Sequence, residues 1–513
     1  MSAPEGGRGP VGPVGLIARR PHLRQDLTAS LVVFLVALPL CVGVAVASGV
    51  PAELGLVTGI VGGLVTGMMR GSSLQVSGPA AGLTVLVFEA VQEHGLPLLG
   101  VLVLVTGLLQ VLMGTLRLGR YFRAISLSVV EGMLAGIGLV LVAGQLYPAM
   151  AAKAPDSGIA KMAGLPSGLG SALGDGEALA SLGLCAGTIA VLVLWKHVPA
   201  RVRTLPGPLA AVGLAMLAVP VLDLPVATVR VNGLMDSLQP PPLSAFGELW
   251  HPAVIGTIVA FTLIASAESL FSAAAVDRLH DGPRTSYDKE LIAQGTGNAV
   301  CGVLGALPMT AVIVRSAANV QAGARTKLSR VAHGVWLLLF AALLPGVLEY
   351  IPIPALAGVL IYSGAKLVPL RQLATLWREH RGEALVLAVT AVSIVAVGMF
   401  EGVLVGLALA VAKAAWESSH IRLTVVDKGA GPVDAYLSGN ATFLRLPKIL
   451  DSLEALPQDR PVRLDLSGLL HLDHACRSAL ENWAERHSAD GTEPVRLTSP
   501  VRPDERAGTP AAG

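Results

Sequence analysis

Arg315 lies within LPMTAVIVRSAANVQAGART (residues 307–326), a run whose first half is apolar enough for a membrane interior. An ionisable side chain in hydrocarbon costs about 2.5–3.5 kcal/mol on insertion scales, so packing alone rarely explains one. A guanidinium at that depth holds an anion or pairs with a carboxylate on a neighbouring helix. The second such residue is Glu268 in FTLIASAESLFSAA, with Ser272 one turn on and Ser266 and Ser269 beside it. A carboxylate among hydroxyls can carry a proton, ligate a sodium ion or pair with Arg315. Glu131, nearer the end of its apolar run, is expected to be structural. No nucleophile–base set and no phosphate-binding loop is evident, so enzymatic activity is not expected. Nothing in the pattern asks for a cofactor or a metal.

The rest of the chain has to hold these groups. Of its 513 residues 53% are hydrophobic and 14% charged, against about 25% charged in a soluble domain. That leaves too little polar surface to cover a water-soluble globule, and the chain reads as an integral protein of the lipid bilayer. A net charge of +2 without any basic block gives no reason to expect nucleic acid. Cys41, Cys185, Cys301 and Cys476 are far apart with no CxxC spacing, so buried free thiols are expected. Residues 1–24 are rich in Gly and Pro, lack the apolar core of a signal peptide, and are expected to be a disordered cytoplasmic segment. Residues 500–513 are expected to be a disordered tail.

A spanning helix needs about 20 apolar residues, fewer where it is broken inside the protein. Candidate spans are 27–47, 52–69, 76–93, 97–116, 124–146, 178–195, 206–222, 253–275, 289–306, 310–322, 331–347, 353–367, 383–399 and 402–417, fourteen in all. The basic residues test that count. With the N-terminus inside, the inner loops hold Arg70; Arg117, Arg120 and Arg123; Lys196, Arg201 and Arg203; Arg278, Arg284 and Lys289; Arg325, Lys327 and Arg330; and Lys366, Arg371, Arg378 and Arg381. The outer loops hold Lys153, Lys161 and Arg230. One missed span would invert every later loop and destroy this split, so both termini are expected in the cytoplasm.

Seven spans precede the polar stretch MDSLQPPPLSAFGE (235–248) and seven follow it. Because seven is odd, homologous halves would form an inverted repeat. The spacing agrees: Leu27 to Pro79 is 52 residues, and Val254 to Pro308 is 54. Each of these prolines follows a span with a stripe of small residues, Gly55, Gly59, Gly63 and Gly67 in one half and Gly295, Ala299 and Gly302 in the other, which suits close helix packing. In SLQVSGPAAG the Gly78–Pro79 pair breaks a continuous helix, LQV suits an extended segment, and Pro79 fits the first turn of a new helix. Pro308 plays the matching part before a helix starting near Thr310. Two half-helices would then begin inside the membrane with free N–H groups facing each other, which makes an anion site. Arg315, one turn beyond Ala311, leans back toward its helix N-terminus and adds a full positive charge.

DLTASLVVFLVALPLCVGVAVASGVPAELGL, GSSLQVSGPAAG, ESLFSAAAVDRL, PMTAVIVRSAANVQAGART and the polar tail run through nearly the whole chain in order. In these stretches the chain resembles the SulP family of inorganic anion transporters. The resemblance implies an all-α polytopic fold of fourteen transmembrane segments in two inverted seven-segment repeats over residues 25–418. It also implies a core domain that moves against a gate domain, usually in a homodimer of the bacterial plasma membrane. It places the substrate between the half-helices, on Pro79, Ala80, Ala81 and Gly82 of the first and Thr310, Ala311, Val312, Ile313 and Arg315 of the second. Glu268 and Ser272 are the expected site for a coupling Na+ or H+. Leu40 and Ala80 stand where many members carry polar residues, which leaves more to backbone amides, Arg315 and Glu268. The run DRLHDGPRTSYDKELIAQGTGNAVCGVLGALP is most similar to a bacterial branch that leans toward bicarbonate, and sulfate stays open.

Residues 419–499 change character. HIRLTVVD and PVRLDLSGL read as strands; Leu446, Ile449, Leu450 and Leu453 give one helical stripe, and Ala475, Ala479, Leu480 and Trp483 another. A βαβα order predicts a small α/β domain, and it resembles the STAS domain that follows the transporter in that family. Asp473-His474-Ala475 lacks the serine that related regulatory proteins phosphorylate. His471 and His474 are expected to be solvated loop histidines. The expected function is secondary transport of a small inorganic anion, bicarbonate or sulfate. The alternatives are a proton-coupled nucleobase permease of the same architecture, whose ligands would not call for Arg315, and a membrane sensor or scaffold whose tail binds partners.

Overall fold

Long apolar runs broken by Gly and Pro fold into a succession of helices in the computed structural model, which describes residues 22–498 apart from 125, 156, 200–204, 232, 428, 430, 458–459 and 490–494. Of the disorder expected for residues 1–24 and 500–513, residues 1–21 and 500–513 lie outside the described residues, while Leu23 and Arg24 already belong to the first helix. The first repeat comprises α1 (Leu23–Ala47), α2 (Ala52–Val61, continued by a π turn Gly62–Thr66), a short strand β1 (Ser77–Pro79), α3 (Thr84–His94), α4 (Leu96–Thr115) and α5 (Leu127–Ala149). After an added helix α6 (Gly158–Ala172) it ends with α7 (Gly176–Leu194) and α8 (Gly207–Val221). The second comprises α9 (Pro252–Asp277), α10 (Tyr287–Val303), β2 (Met309–Ala311), α11 (Ile313–Gln321), α12 (Leu328–Leu343) and α13 (Ile353–Leu367). It ends, after a second addition α14 (Leu370–Glu379), with α15 (Arg381–Ala396) and α16 (Met399–Ser418). With β1–α3 and β2–α11 as the broken third segment of each repeat, these are two inverted sets of seven.

The small-residue stripes are packing devices. Gly63 of α2's π turn meets Gly334 of α12 so closely that a Cβ on it would lie 2.5 Å from the Gly334 Cα. A Cβ on Gly295 of α10 would lie 2.6 Å from the Gly107 carbonyl oxygen of α4. Backbone thus packs on backbone, as small residues permit. The first four segments of each repeat form the core bundle, with α10 on α4 and α12 on α1; the last three form the gate bundle, with α13 and α15 on α5.

The chain divides into two compact units at Leu407/Ala408, eleven residues before the expected boundary. The end of α16 explains the shift: the Arg445 guanidinium lies 4.1 Å from the Trp416 ring centre, and Asn440 Nδ2 donates to the Ser418 carbonyl at 2.8 Å. In this second unit β3 (Ile421–Val426), β4 (Val433–Ala441), β5 (Val462–Leu472) and β6 (Arg496–Thr498) form one sheet in that order, the first pair antiparallel and the others parallel. Helices α17 (Leu446–Glu454) and α18 (His474–Ala489) accompany it. The predicted βαβα order is corrected by two strands, β4 and β6. His471 lies within β5 and His474 opens α18, both exposed. Between them Asp473 accepts the Cys476 amide at 2.7 Å and also the Phe443 amide. Burial raises the Asp473 pKa, but these two donors outweigh it and hold the carboxyl below its ordinary value. Burial, helped by Asp473, pushes the Cys476 thiol up to about 12.

Candidate functional site

The two breaks pair with each other. β1 and β2 run antiparallel, with Ser77 opposite Ala311, Gly78 opposite Thr310 and Pro79 opposite Met309, and the Val312 amide continues the ladder to the Val76 carbonyl at 2.9 Å. This pairing moves both helix starts. Pro79 ends a strand instead of opening a helix, and helical turns begin at Ala81. Thr310 and Ala311, expected in a first turn, are strand residues, and α11 begins at Ile313. The first bond inside α11 runs from the Ser316 amide to the Val312 carbonyl at 3.0 Å. The amides of Ile313, Val314 and Arg315 precede it and have no acceptor within the helix. Ala81 and Gly82 stand in the same position before the Leu83 amide, which donates to the Ala80 carbonyl at 3.2 Å.

A cavity of about 80 Å³ opens between these two turns. The first repeat contributes Pro79, Ala81 and Gly82, and the second contributes Val312, Ile313, Val314 and Arg315. Glu268 and Ser272 of α9 complete its polar wall, with Phe271, Leu40 and Val44 beside them and Met133 and Ser363 from the gate bundle. Of the expected residues, Ala80, Thr310 and Ala311 do not reach the cavity. Ala80 is core; the Ala311 amide donates to Ser269 Oγ at 3.3 Å; Thr310 lies beside the Glu268 carboxylate.

Arg315 is 1% exposed. Its Nη2 donates to the Pro79 carbonyl at 3.4 Å, while Nε and Nη1 have no partner. Among the described residues neither Arg315 nor Glu268 takes part in an ion pair, and Glu268 Oε2 is also buried without a partner. The two groups therefore face one cavity without neutralising each other directly. Two glycines make room for them. A Cβ on Gly78 would collide with the Arg315 guanidinium, and one on Gly82 would lie 2.7 Å from Glu268 Oε2. Both belong to the SGPAAG motif, where Gly78 reads as a helix breaker and Gly82 as part of the expected substrate site.

Sequence reasoning missed the scaffold behind the strands. Glu290, Gln294 and Asn298 recur every fourth residue on α10, and all are buried. Asn298 Oδ1 accepts the Met309 amide at 2.7 Å, and its Nδ2 donates to the Met309 carbonyl at 3.1 Å and to Gln110 Oε1 at 2.8 Å. Gln294 Nε2 donates to Ser77 Oγ and to Glu290 Oε1, both at 2.7 Å. One helix face thus holds both strands, and its four-residue polar spacing was the available signal. Glu131, expected to be structural, accepts from Gln372 Nε2 of α14. A larger cavity of about 840 Å³ shares Leu40, Ile313, Val314 and Ser363 with the first and carries Lys196 and Lys366.

The Sulfate permease family model matches residues 23–390. The chain is 27% identical over 394 residues to the putative sulfate transporter YvdB of Bacillus subtilis, covering 75% of this chain and 72% of that one. It is 26% identical over 361 residues to the bicarbonate transporter BicA of Picosynechococcus, covering 68% and 62%. In fold it is similar to the murine Slc26a9 anion transporter in the inward-facing state, with TM-score 0.77 at 16% identity over 95% of this chain and 87% of that one. With the matching model spanning well over half its length, and with fourteen segments meeting at two paired breaks, the chain belongs to the sulfate permease family, a family of transporters.

Proposed function

We propose that the protein is a secondary transporter of a small inorganic anion, bicarbonate or sulfate, which binds between the turns at Ala81–Gly82 and Ile313–Arg315. The observation that carries this reading is Arg315: a buried guanidinium with two nitrogens unsatisfied, opening on a cavity, and in no ion pair among the described residues although Glu268 faces the same cavity. A buried cation without a counter-charge is costly, and an anionic substrate removes that cost. The backbone amides at the two turns donate in the same direction. The larger cavity with Lys196 and Lys366 is the access route on one side. The core bundle carries the site and moves against the gate bundle in an elevator-like step. Glu268 and Ser272 hold the coupling H+ or Na+. The protein works as a homodimer in the bacterial plasma membrane with both termini in the cytoplasm, and residues 419–499 act as a STAS-like regulatory or assembly domain.

Uptake of labelled sulfate and bicarbonate into proteoliposomes tests this. One of the two should accumulate with the wild-type protein and not with Arg315→Ala. Accumulation of neither, by protein shown to be folded, overturns the reading.

A further inference from the structure

Helix α14 joins α13 to α15 in the gate bundle, and none of its residues is fully buried. Ten residues of helix rise about 15 Å, half of the roughly 30 Å of hydrocarbon that a spanning helix crosses. The helix therefore lies beside the spans and does not cross with them. Two observations fix which way it faces. Gln372 Nε2 donates to the Glu131 carboxylate of α5. Leu373 and Leu376 are half-buried, and α14 packs on α15.

At about 100° per residue, Gln372, Leu376 and Leu373 share this inner side. Leu370, Ala374 and Trp377 then fall within about 60° of one another on the outer side. All three are exposed, Leu370 by 70% and Trp377 by 54%. Arg371 and Arg378, two turns apart, fall within about 20° of each other and border the stripe along one edge. Both are exposed, as is Arg381 at the start of α15.

The charges on this segment are unbalanced. Residues 366–381 carry Lys366, Arg371, Arg378 and Arg381 against Glu379 alone. Lys366 lies 4.1 Å from the centre of the Tyr362 ring and lines the cavity of about 840 Å³, so it serves another surface. Of the nearby carboxylates, Glu131 is engaged by Gln372, and Glu383 of α15 is half-buried. Glu379 falls about 90° round the helix from the two arginines. Neither Arg371 nor Arg378 takes part in an ion pair among the described residues.

A short helix with leucine and tryptophan on one side and arginines along its edge suits the boundary between acyl chains and headgroups. Tryptophan favours that depth, and the guanidinium fork matches phosphate oxygens. The stripe alone is too small for a stable protein partner, which buries about 800 Å² a side. We infer that α14 is an interfacial helix that seats Leu370, Ala374 and Trp377 among the outermost acyl carbons and holds anionic phospholipid headgroups with Arg371, Arg378 and Arg381. Through Glu131 and α15 it ties the gate bundle to those lipids. Each arginine near an anionic surface strengthens the attraction about fivefold. The docking depends neither on which solute the protein carries nor on whether it transports one.

Ala374 sits within the stripe and the four native cysteines are all buried, so the full-length Ala374→Cys protein takes one environment-sensitive fluorophore there. In nanodiscs of mixed phosphatidylcholine and phosphatidylglycerol, a doxyl group high on the acyl chain should quench the label, and aqueous iodide should not. Doxyl-labelled phosphatidylglycerol should quench more strongly than doxyl-labelled phosphatidylcholine at equal content. Arg371→Gln and Arg378→Gln, both at exposed positions, should each lower that preference by up to about fivefold. Arg371→Lys and Arg378→Lys should retain most of it, and raised salt should weaken it. Equal quenching by the two lipids, or a preference that neither glutamine variant changes, overturns the inference. So does quenching by iodide, which would put the stripe in water, and so does protection from both quenchers, which would put a second copy or another protein surface over it.

Discussion

Arg315 of the second repeat donates to the Pro79 carbonyl of the first at 3.4 Å, so one side chain links the two breaks of the inverted repeat. That contact occupies only one guanidinium nitrogen. The other two are buried without partners, and their charge is available to a ligand. Hydrogen bonds to a charged group are worth about 1.5–3 kcal/mol. Arg315→Ala should therefore weaken anion binding by roughly ten- to a hundredfold at 1.4 kcal/mol per decade. Arg315→Lys keeps the charge but not the fork, and should fall between the two. Titration of the detergent-solubilised protein with sulfate and bicarbonate measures this, and equal affinity in the alanine variant would sink it.

The two glycines of SGPAAG should fail differently. A Cβ on Gly78 displaces the Arg315 guanidinium, and one on Gly82 meets the Glu268 carboxylate at 2.7 Å. Gly78→Ala is expected to copy the affinity loss of Arg315→Ala. Gly82→Ala should disturb coupling as well as affinity, because it presses on Glu268. Parallel binding and gradient-driven uptake by the two variants separate these effects; identical profiles would show that the glycines serve only the backbone.

Glu268 should decide coupling. Its Oε2 is buried without a partner, it makes no ion pair among the described residues, and Ser272 lies one turn on in the same cavity. Glu268→Gln should preserve folding and abolish the dependence of uptake on a pH or sodium gradient. Uptake by the variant that still follows either gradient would leave Glu268 a structural role.

Much of this was legible in the chain, for identifiable reasons. Arg315 and Glu268 stood out because charge in an apolar run is costly, and the breaks because Gly78, Pro79 and Pro308 interrupt helices. The strand pairing was not legible. It joins two three-residue segments more than two hundred residues apart, and nothing local marks so short a strand; it is what moved Thr310 and Ala311 out of the helix. Helix α6 was hidden by GIAKMAGLPSGLGSA, whose glycines and internal Pro166 are poor helix formers. Helix α14 was within reach, since Leu370, Leu373, Leu376 and Trp377 repeat at helical spacing. In the tail β4 was equally readable: Val433, Ala435 and Leu437 are buried and alternate with Asp434, Tyr436 and Ser438.

Asn298 should prove more important to the site than its distance from the ligand implies. It closes three hydrogen bonds, two of them on Met309. Asn298→Ala leaves the Met309 amide and carbonyl and the Gln110 oxygen unsatisfied inside the protein, at about 1–3 kcal/mol for each group so stranded. The variant should melt at lower temperature in detergent and bind anion more weakly, since β2 leads directly into α11. Asn298→Asp keeps the acceptor for the amide and should recover part of both. Lowered stability with unchanged affinity would confine Asn298 to packing.

Asp473 gives the tail a pH dependence of known sign. Its carboxylate accepts the amides of Cys476 in the first turn of α18 and of Phe443 after β4, and these donors hold its pKa below the ordinary value. A carboxyl whose folded pKa is depressed contributes stability that is fully present above the unfolded pKa, near 3.9. That stability is lost as pH falls through the folded value. Asp473→Ala removes the helix cap at a cost of about 1–2 kcal/mol. Hydrogen exchange of peptides within residues 443–487 of the full-length protein, with labelling times scaled to the intrinsic rate, should show the variant less protected by a constant margin from pH 5 to 8. The margin should begin to narrow as the pH falls below about 4, where the unfolded carboxyl is protonated, and vanish below the depressed folded value. A margin that persists unchanged at pH 3 would mean that charge on Asp473 does not hold the start of α18.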